Sequence, residues 1–251
     1  MQKICLLVVA VLTLSFRMDP PYISKITTTS DGLTDTVVFT YNSNKTLHKI
    51  VQAYGLPNGG LKYYVFFPVY EKGRLSKLLF SKDPMATTGD ISAVYVYENN
   101  RIRKIRYYHG NATKPYNTDS LIYNAENKIA GVYVLVGSII RERHVYSWRN
   151  GNVVKYERYS DNGTGVANLL RETTTWGYDD KPNVCGNVKD FSYIQRAMGI
   201  NNMSSNNPVS YHSIYDSGEQ DTVGGQQEYN AQGHMIKSAT ETSTSIFEYQ
   251  Q

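Results

Sequence analysis

The chain has little cysteine. Its 251 residues contain Cys5 and Cys185 alone, so no framework of disulfides holds the fold, and stability must come from burial and hydrogen bonding. It also has little charge of one sign. The formal net charge is +4, far below the concentrated basic footprint of a dedicated nucleic-acid binder. Long apolar runs are missing beyond the first stretch, Met1 to Phe16, MQKICLLVVAVLTLSF. Its uncharged core of about a dozen residues has the length of a secretory h-region and is too short to span a bilayer.

Residues 1–16 are therefore expected to be a cleaved secretory signal, and 17–251 a single mature domain. Cys5 lies too early to be the modified cysteine of a lipoprotein, which follows the apolar run. No lipid anchor is expected, and the location is the periplasm or cell surface. With the signal removed Cys185 stands alone, and a lone cysteine is expected to be a small buried hydrophobe.

Catalytic signatures are missing as well. The sequence contains no nucleophile elbow, phosphate-binding loop or zinc-protease helix. His48, His109, His144, His212 and His234 are scattered, and none has a ligand-spaced His, Cys or carboxylate beside it, so no metal or other cofactor is expected.

What is present is tyrosine: 22, against 7 Phe and 2 Trp, a composition suited to pleated surfaces that are apolar at the root and wet at the tip. Aromatic residues ahead of turn signals recur at Tyr41, Tyr70, Tyr97, Tyr123, Trp148, Tyr178 and Tyr229, a hairpin repeat. In one class of copy, Lys72-Gly73, Asn99-Asn100 and Asn150-Gly151 read as two-residue loops needing positive φ. In the other, the spacing is one residue longer, and Lys45, Asn127 and Gly233 fall on the left-handed position of a type I turn closed by a bulge. Ser92 to Tyr108 shows the unit in full: Glu98 is expected opposite Arg101, Tyr97 opposite Ile102 and Val94 opposite Ile105.

These units predict an all-β antiparallel meander of about 14–16 strands. The only predicted helix is a short insertion over Lys189 to Met198, with Phe191, Ile194 and Met198 at helical spacing, inside a loop segment spanning 179–208. Tyr64 to Val69, YVFFPV, is an uninterrupted apolar run and predicts a strand covered on both faces, with Pro68 hinting at an edge or bulge.

Two groups of residues are candidates for function. Arg101, Arg103, Lys104, Arg106, Arg141, Arg143, Arg149, Lys155 and Arg158 gather cations on neighbouring hairpins, and Tyr107, Tyr108, Tyr156 and Tyr159 accompany them. Guanidinium forks suit carboxylate and phosphate, and tyrosine rings suit sugar faces or cross-strand packing. The same cations lie on both faces of their strand, which argues against a membrane-embedded wall. The second group is Asp179-Asp180, ahead of Lys181, Pro182 and Asn183, where carboxylates are expected to cap a turn, with acid-base chemistry or cation binding as the alternative.

Two stretches carry a family resemblance. YNAQGHM at Tyr229 to Met235 and YNAENKI at Tyr123 to Ile129 resemble the YD repeat of Rhs-type and teneurin shells. Tyr178-Asp179-Asp180-Lys181-Pro182-Asn183, a helical insertion and then Ser205-Asn206-Asn207-Pro208 resemble a family of secreted or lipid-anchored Bacteroidetes proteins of unknown function. That family is described as having a porin-like antiparallel β fold. The chain departs from its pattern at Val184, where a second proline is common, and in having no lipoprotein cysteine. The resemblance implies a rolled sheet or porin-like barrel in the cell envelope. The function expected from all of this is non-enzymatic binding of a glycan, another anionic ligand or an envelope protein, on the sheet surface or in a cavity. The alternatives are a hydrolase or lyase with its site near Asp179 to Asn183, and a purely structural module.

Overall fold

The computed structural model describes residues 21–110, 112–194 and 203–250. The expected signal, 1–16, and Met198 lie outside them. Among the described residues the chain forms 17 strands in one antiparallel sheet. They are β1 (Ile23–Ser30), β2 (Leu33–Tyr41), β3 (Leu47–Gly55), β4 (Leu61–Glu71), β5 (Arg74–Ser81), β6 (Asp90–Glu98), β7 (Arg101–Tyr107), β8 (Asn117–Tyr123), β9 (Ile129–Val136), β10 (Ile139–Arg149), β11 (Asn152–Asp161), β12 (Ala167–Pro182), β13 (Asn206–Tyr215), β14 (Gln220–Gly224), β15 (Gln226–Tyr229), β16 (Met235–Ala239) and β17 (Ser243–Tyr249). Strands adjacent in sequence pair antiparallel, except β14 with β15, and β17 pairs back onto β1, Ile26 opposite Phe247, which rolls the sheet into a barrel.

The one step in the wall is at Gly225. β14 pairs with β13 and β15 with β16, so residues 220–229 are one continuous stave that changes neighbour half way. Gly225 donates to the Val209 carbonyl at 2.8 Å, and a side chain there would press on the Ala239 carbonyl at 3.3 Å. Glycine lets the chain pass between the two strands without either having to give way.

The hairpin turns have the backbone their residues demand. Asn99 and Asn100 sit at φ 50° and 64°, Lys72 and Gly73 at 51° and 74°, and Asn150 and Gly151 at 51° and 82°. Lys45, Asn127 and Gly233 take the left-handed position at 64°, 63° and 81°.

The register corrects one expected pairing. Glu98 faces Arg101 and Tyr97 faces Ile102, but Ile105 faces Tyr95 and Val94 faces Arg106, because the ladder slips at Val96/Tyr97. Arg103 is the extra residue of a β-bulge, and the same slip recurs where the ladder reaches Tyr41, Tyr70, Tyr123, Trp148 and Tyr229. The bulge turns two residues three apart onto one face. Leu47 and Ile50, Leu75 and Leu78, and Ile102 and Ile105 are all buried pairs of this kind.

The slip also gives the repeated aromatic its job. Tyr97 donates to the carbonyl of Leu75, Tyr123 to that of Ile102, Trp148 to that of Ile129 and Tyr178 to that of Val153, at 2.6 to 3.0 Å. Each aromatic thus ties its hairpin to the first buried aliphatic of the hairpin before it. Tyr70 stands beside the Leu47 carbonyl in the same way but short of hydrogen-bond geometry.

The interior on the β1 to β9 side is filled by one apolar cluster containing Phe39, Leu47, Ile50, Leu75, Ile102, Ile105 and Leu121. The expected doubly covered strand is present. Phe66 packs on the inner cluster, while Val65 and Phe67, on the opposite face, are also buried. Lys49 lies 5.3 Å over the Phe67 ring and donates to the carbonyls of Pro84 and Ala86, so the β5–β6 loop folds over the outer surface there.

Candidate functional site

One rim of the barrel is stoppered by the insertion between β12 and β13. Asn183 opens a run of tight turns, with Gly186 bonding back to Asn183, Val188 to Cys185 and Phe191 to Val188. Contacts of this i to i+3 type line up every third side chain, so Cys185, Val188, Phe191 and Ile194 are all buried in the barrel cluster. The helix itself, α1 (Phe191–Ile194), is shorter than the sequence predicts over the described residues. Phe191 meets Phe39 edge to face at 5.4 Å, Tyr95 donates to the Tyr193 carbonyl, and Lys189 donates to Gly73 in the β4–β5 turn. Cys185 is a buried apolar residue as expected, and burial pushes its thiol up to about 12, which leaves it without thiolate reactivity.

Asp190 is the odd member of this stopper. It sits at φ 61°, one carboxylate oxygen is buried without a hydrogen bond, and burial raises its pKa. The raised value means that the folded state holds the proton more tightly than the unfolded chain. The stability this adds is complete below the ordinary aspartate value of about 4 and is lost as pH rises through the folded-state value. Asp190→Asn should therefore raise the unfolding midpoint in neutral buffer, with the gain shrinking toward pH 4. Asparagine also tolerates the left-handed backbone. Thermal denaturation of both proteins across that range is the check, and a lower midpoint for Asp190→Asn at neutral pH would contradict it.

The Asp179 motif at the root of the insertion is a structural hub. The Asp179 carboxylate accepts from the backbone N–H of Lys181 and of Asn207, from the Asn207 side-chain amide and from the Tyr229 hydroxyl. Asn207 in turn accepts from the Val184 N–H and donates to the Pro182 carbonyl. Asn183 accepts from Cys185 and donates to the Asn206 carbonyl, and Asn206 donates to the Lys181 carbonyl. Ser205 donates to Gly151, while Asp180 is exposed and pairs with Lys181. Asp179 thus ties the base of the insertion to β13 and to β15, and the two adjacent carboxylates point to different surroundings.

The other rim opens into a cavity of about 1030 Å³ lined by the inner faces of β8 to β16. Here the register brings together residues far apart in sequence. His144, Arg158 and Glu172 lie opposite one another across β10, β11 and β12, and the next rung holds Tyr146, Tyr156, Thr174 and Ser213. His144 bonds Tyr156 through Nδ1 at 2.6 Å and Glu142 through Nε2 at 3.0 Å. Arg158 donates to Glu172 at 3.1 Å, and Glu172 accepts from Thr174, which bonds Ser213. Burial drives the Tyr156 hydroxyl above the ordinary phenol value, so it stays protonated. Desolvation opposes the charge of Arg158, but the bond and charge of Glu172 outweigh it and hold its pKa above the usual value. Tyr146 stacks on Tyr156 at 5.5 Å, and Trp176 lies 6.3 Å from Tyr156.

The predicted cationic group is divided by the wall. Tyr107, Tyr156 and Arg158 face the lumen, where Tyr107 bonds Asp119. Lys104 and Arg106 lie on the outer surface. Arg103, the bulge residue, donates to the Leu121 carbonyl and pairs with Glu98. Arg101 lies over Tyr123, and Arg143 over Tyr159 at 4.1 Å. Tyr108 closes the β6–β7 pair by bonding Ser92. The sequence reading missed Glu142, His144, Glu172 and Trp176. Among the described residues no three His, Cys, Asp or Glu converge as metal ligands would.

No family model matches the chain, and no curated protein matches it. Among solved structures the chain is similar to a porin-like protein from Bacteroides uniformis ATCC 8492. The TM-score is 0.62 at 14% identity, covering 92% of this chain and 99% of that one. A porin-like protein from Bacteroides vulgatus ATCC 8482 matches over the same shares at 11% identity and a TM-score of 0.45, too low to bear on the fold. The chain therefore has the porin-like antiparallel barrel fold, here with one rim stoppered by the 183–194 insertion.

Proposed function

We propose that this is a non-enzymatic cell-envelope protein that takes a ligand into the open half of its barrel. The observation that carries this reading is the cavity. At about 1030 Å³ it is at the upper end of the range of ligand pockets, and the stopper at the far rim makes it a blind cup instead of a channel. Secretion is supported by the character of 1–16, and membership of a Bacteroidetes envelope family by the Tyr178–Asn183 and Ser205–Pro208 stretches and the porin-like Bacteroides neighbour. An aqueous setting is supported by the outer wall, which presents Lys25, Lys104, Arg106, Lys155 and Lys237. Each cation would cost about 2–4 kcal/mol at the middle of a bilayer. The enzyme alternative at Asp179 has little support, because that carboxylate is occupied by backbone and side-chain donors.

The reading is tested by screening saccharides, fatty acids and peptides for thermal stabilisation of the protein and of Ser238→Trp, which fills the cup from β16. A ligand at a hundred times its Kd adds about 2.7 kcal/mol. At least one class should raise the midpoint of the wild type and fail to do so in Ser238→Trp. Silence from every class, or stabilisation unchanged by the tryptophan, would remove the cup as the binding site.

A further inference from the structure

Resting on the cup reading, we infer that the ligand is a neutral, hydroxyl-rich saccharide of at least two rings, lying across β10, β11 and β12. Charge decides against an anion. The cavity wall carries Glu142 and Glu172 against Arg141, and Arg158, opposite Glu172 in the register, is already engaged by it at 3.1 Å. Arg141, at the rim, is held by Asp161 at 2.9 Å. An entering carboxylate or phosphate would therefore meet like charge and find no guanidinium free of a carboxylate partner.

Desolvation decides against a wholly apolar ligand. Such a ligand would strip water from Glu142, His144 and the Arg158–Glu172 pair without replacing its hydrogen bonds, a penalty that apolar contact on a few rings does not offset.

What remains matches the two rungs of the wall. Tyr146 and Tyr156 overlap at 5.5 Å with their planes 27° apart, and Trp176 continues the surface from β12. Neighbouring strands are spaced about 4.8 Å apart, so this aromatic strip runs for about 10 Å, a length suited to two adjoining sugar rings laid along it. Nearer the mouth, Glu172 on the next rung and Glu142 on the one beyond it supply carboxylate oxygens, and acceptors there are placed for the hydroxyls along a sugar's edge. Hydrogen bonds to ionised acceptors are the strong ones, so the carboxylates that exclude an anion are the groups that hold a polyol.

Calorimetric titration with short neutral gluco-, manno- and xylo-oligosaccharides, with uronate oligomers of matched length and with a fatty acid tests this. A neutral oligomer should bind and uronates should not. Glu142→Gln and Tyr146→Ala should each weaken binding about tenfold or more, Tyr146→Phe should keep most of it because the ring remains, and Ser238→Trp should abolish it. If Tyr146→Ala does not fold, Glu142→Gln and Tyr146→Phe carry the test. Binding of uronates or fatty acids in place of neutral sugars, blocked by Ser238→Trp, would leave the cup standing and overturn the saccharide. Neutral binding indifferent to Glu142→Gln would also overturn it. No binding by any probe, or binding indifferent to Ser238→Trp, would remove cup and saccharide together.

Discussion

Phe191→Ala should destabilise the protein by about 3–5 kcal/mol, the usual cost of emptying an aromatic from a packed core. Phe191 is 1% exposed and is the central apolar residue of the stopper, touching Phe39 on one side and sharing the cluster with Val188 and Ile194. Most of the loss should be enthalpy of packing that no neighbour can recover, because the ring's contacts come from strands fixed in the barrel wall. Urea denaturation should show a lower midpoint with little change in slope. A loss under about 1 kcal/mol would mean that the insertion is an appendage instead of part of the core.

Asp179→Ala should cost about 2–4 kcal/mol. The substitution leaves the Lys181 and Asn207 N–H groups, the Asn207 amide and the Tyr229 hydroxyl without their acceptor, and donors stranded away from water are worth about 1–3 kcal/mol each before relaxation. Asp179→Asn, which keeps an acceptor of the same shape, should recover part of the loss. Combined with Tyr229→Phe, Asp179→Ala should cost less than the sum of the two single changes, since both break one contact. Strict additivity would show that the hydroxyl and carboxylate do not act as a unit.

The turns were legible in the sequence because turn chemistry is local. Asn99-Asn100, Asn150-Gly151 and Gly233 declare positive φ without reference to the rest of the fold. The bulges that close the longer turns are legible too, but those inside the strands beyond the turns are not read, although a signal exists: Leu47 and Ile50, Leu75 and Leu78, and Ile102 and Ile105 stand three apart in strands whose ordinary repeat is two. That missed residue explains the misplaced Val94. It also explains why Arg103 and Arg106, both in a run that looked uniformly basic, have different surroundings, one turned back on Leu121 and Glu98 and one at the outer surface. The stopper was half legible. Phe191 and Ile194 were expected to be helical, but Cys185 and Val188 extend their line at a spacing of three, which a search for 3.6-residue periodicity passes over. The cup was least legible, since Glu142, Tyr156, Glu172 and Trp176 meet only through inter-strand register, and register depends on every bulge before it.

The change of neighbour at Gly225 has a geometric outcome at the chain's ends. Because β14 and β15 are halves of one stave, the wall has an even number of staves, and the first and last run in opposite directions. Tyr22 and Gln250 consequently sit side by side, joined by a 2.8 Å hydrogen bond, on the rim that the insertion closes. A chain segment running on directly from Tyr22 or Gln250 leaves the barrel at its closed base, on the side opposite the mouth.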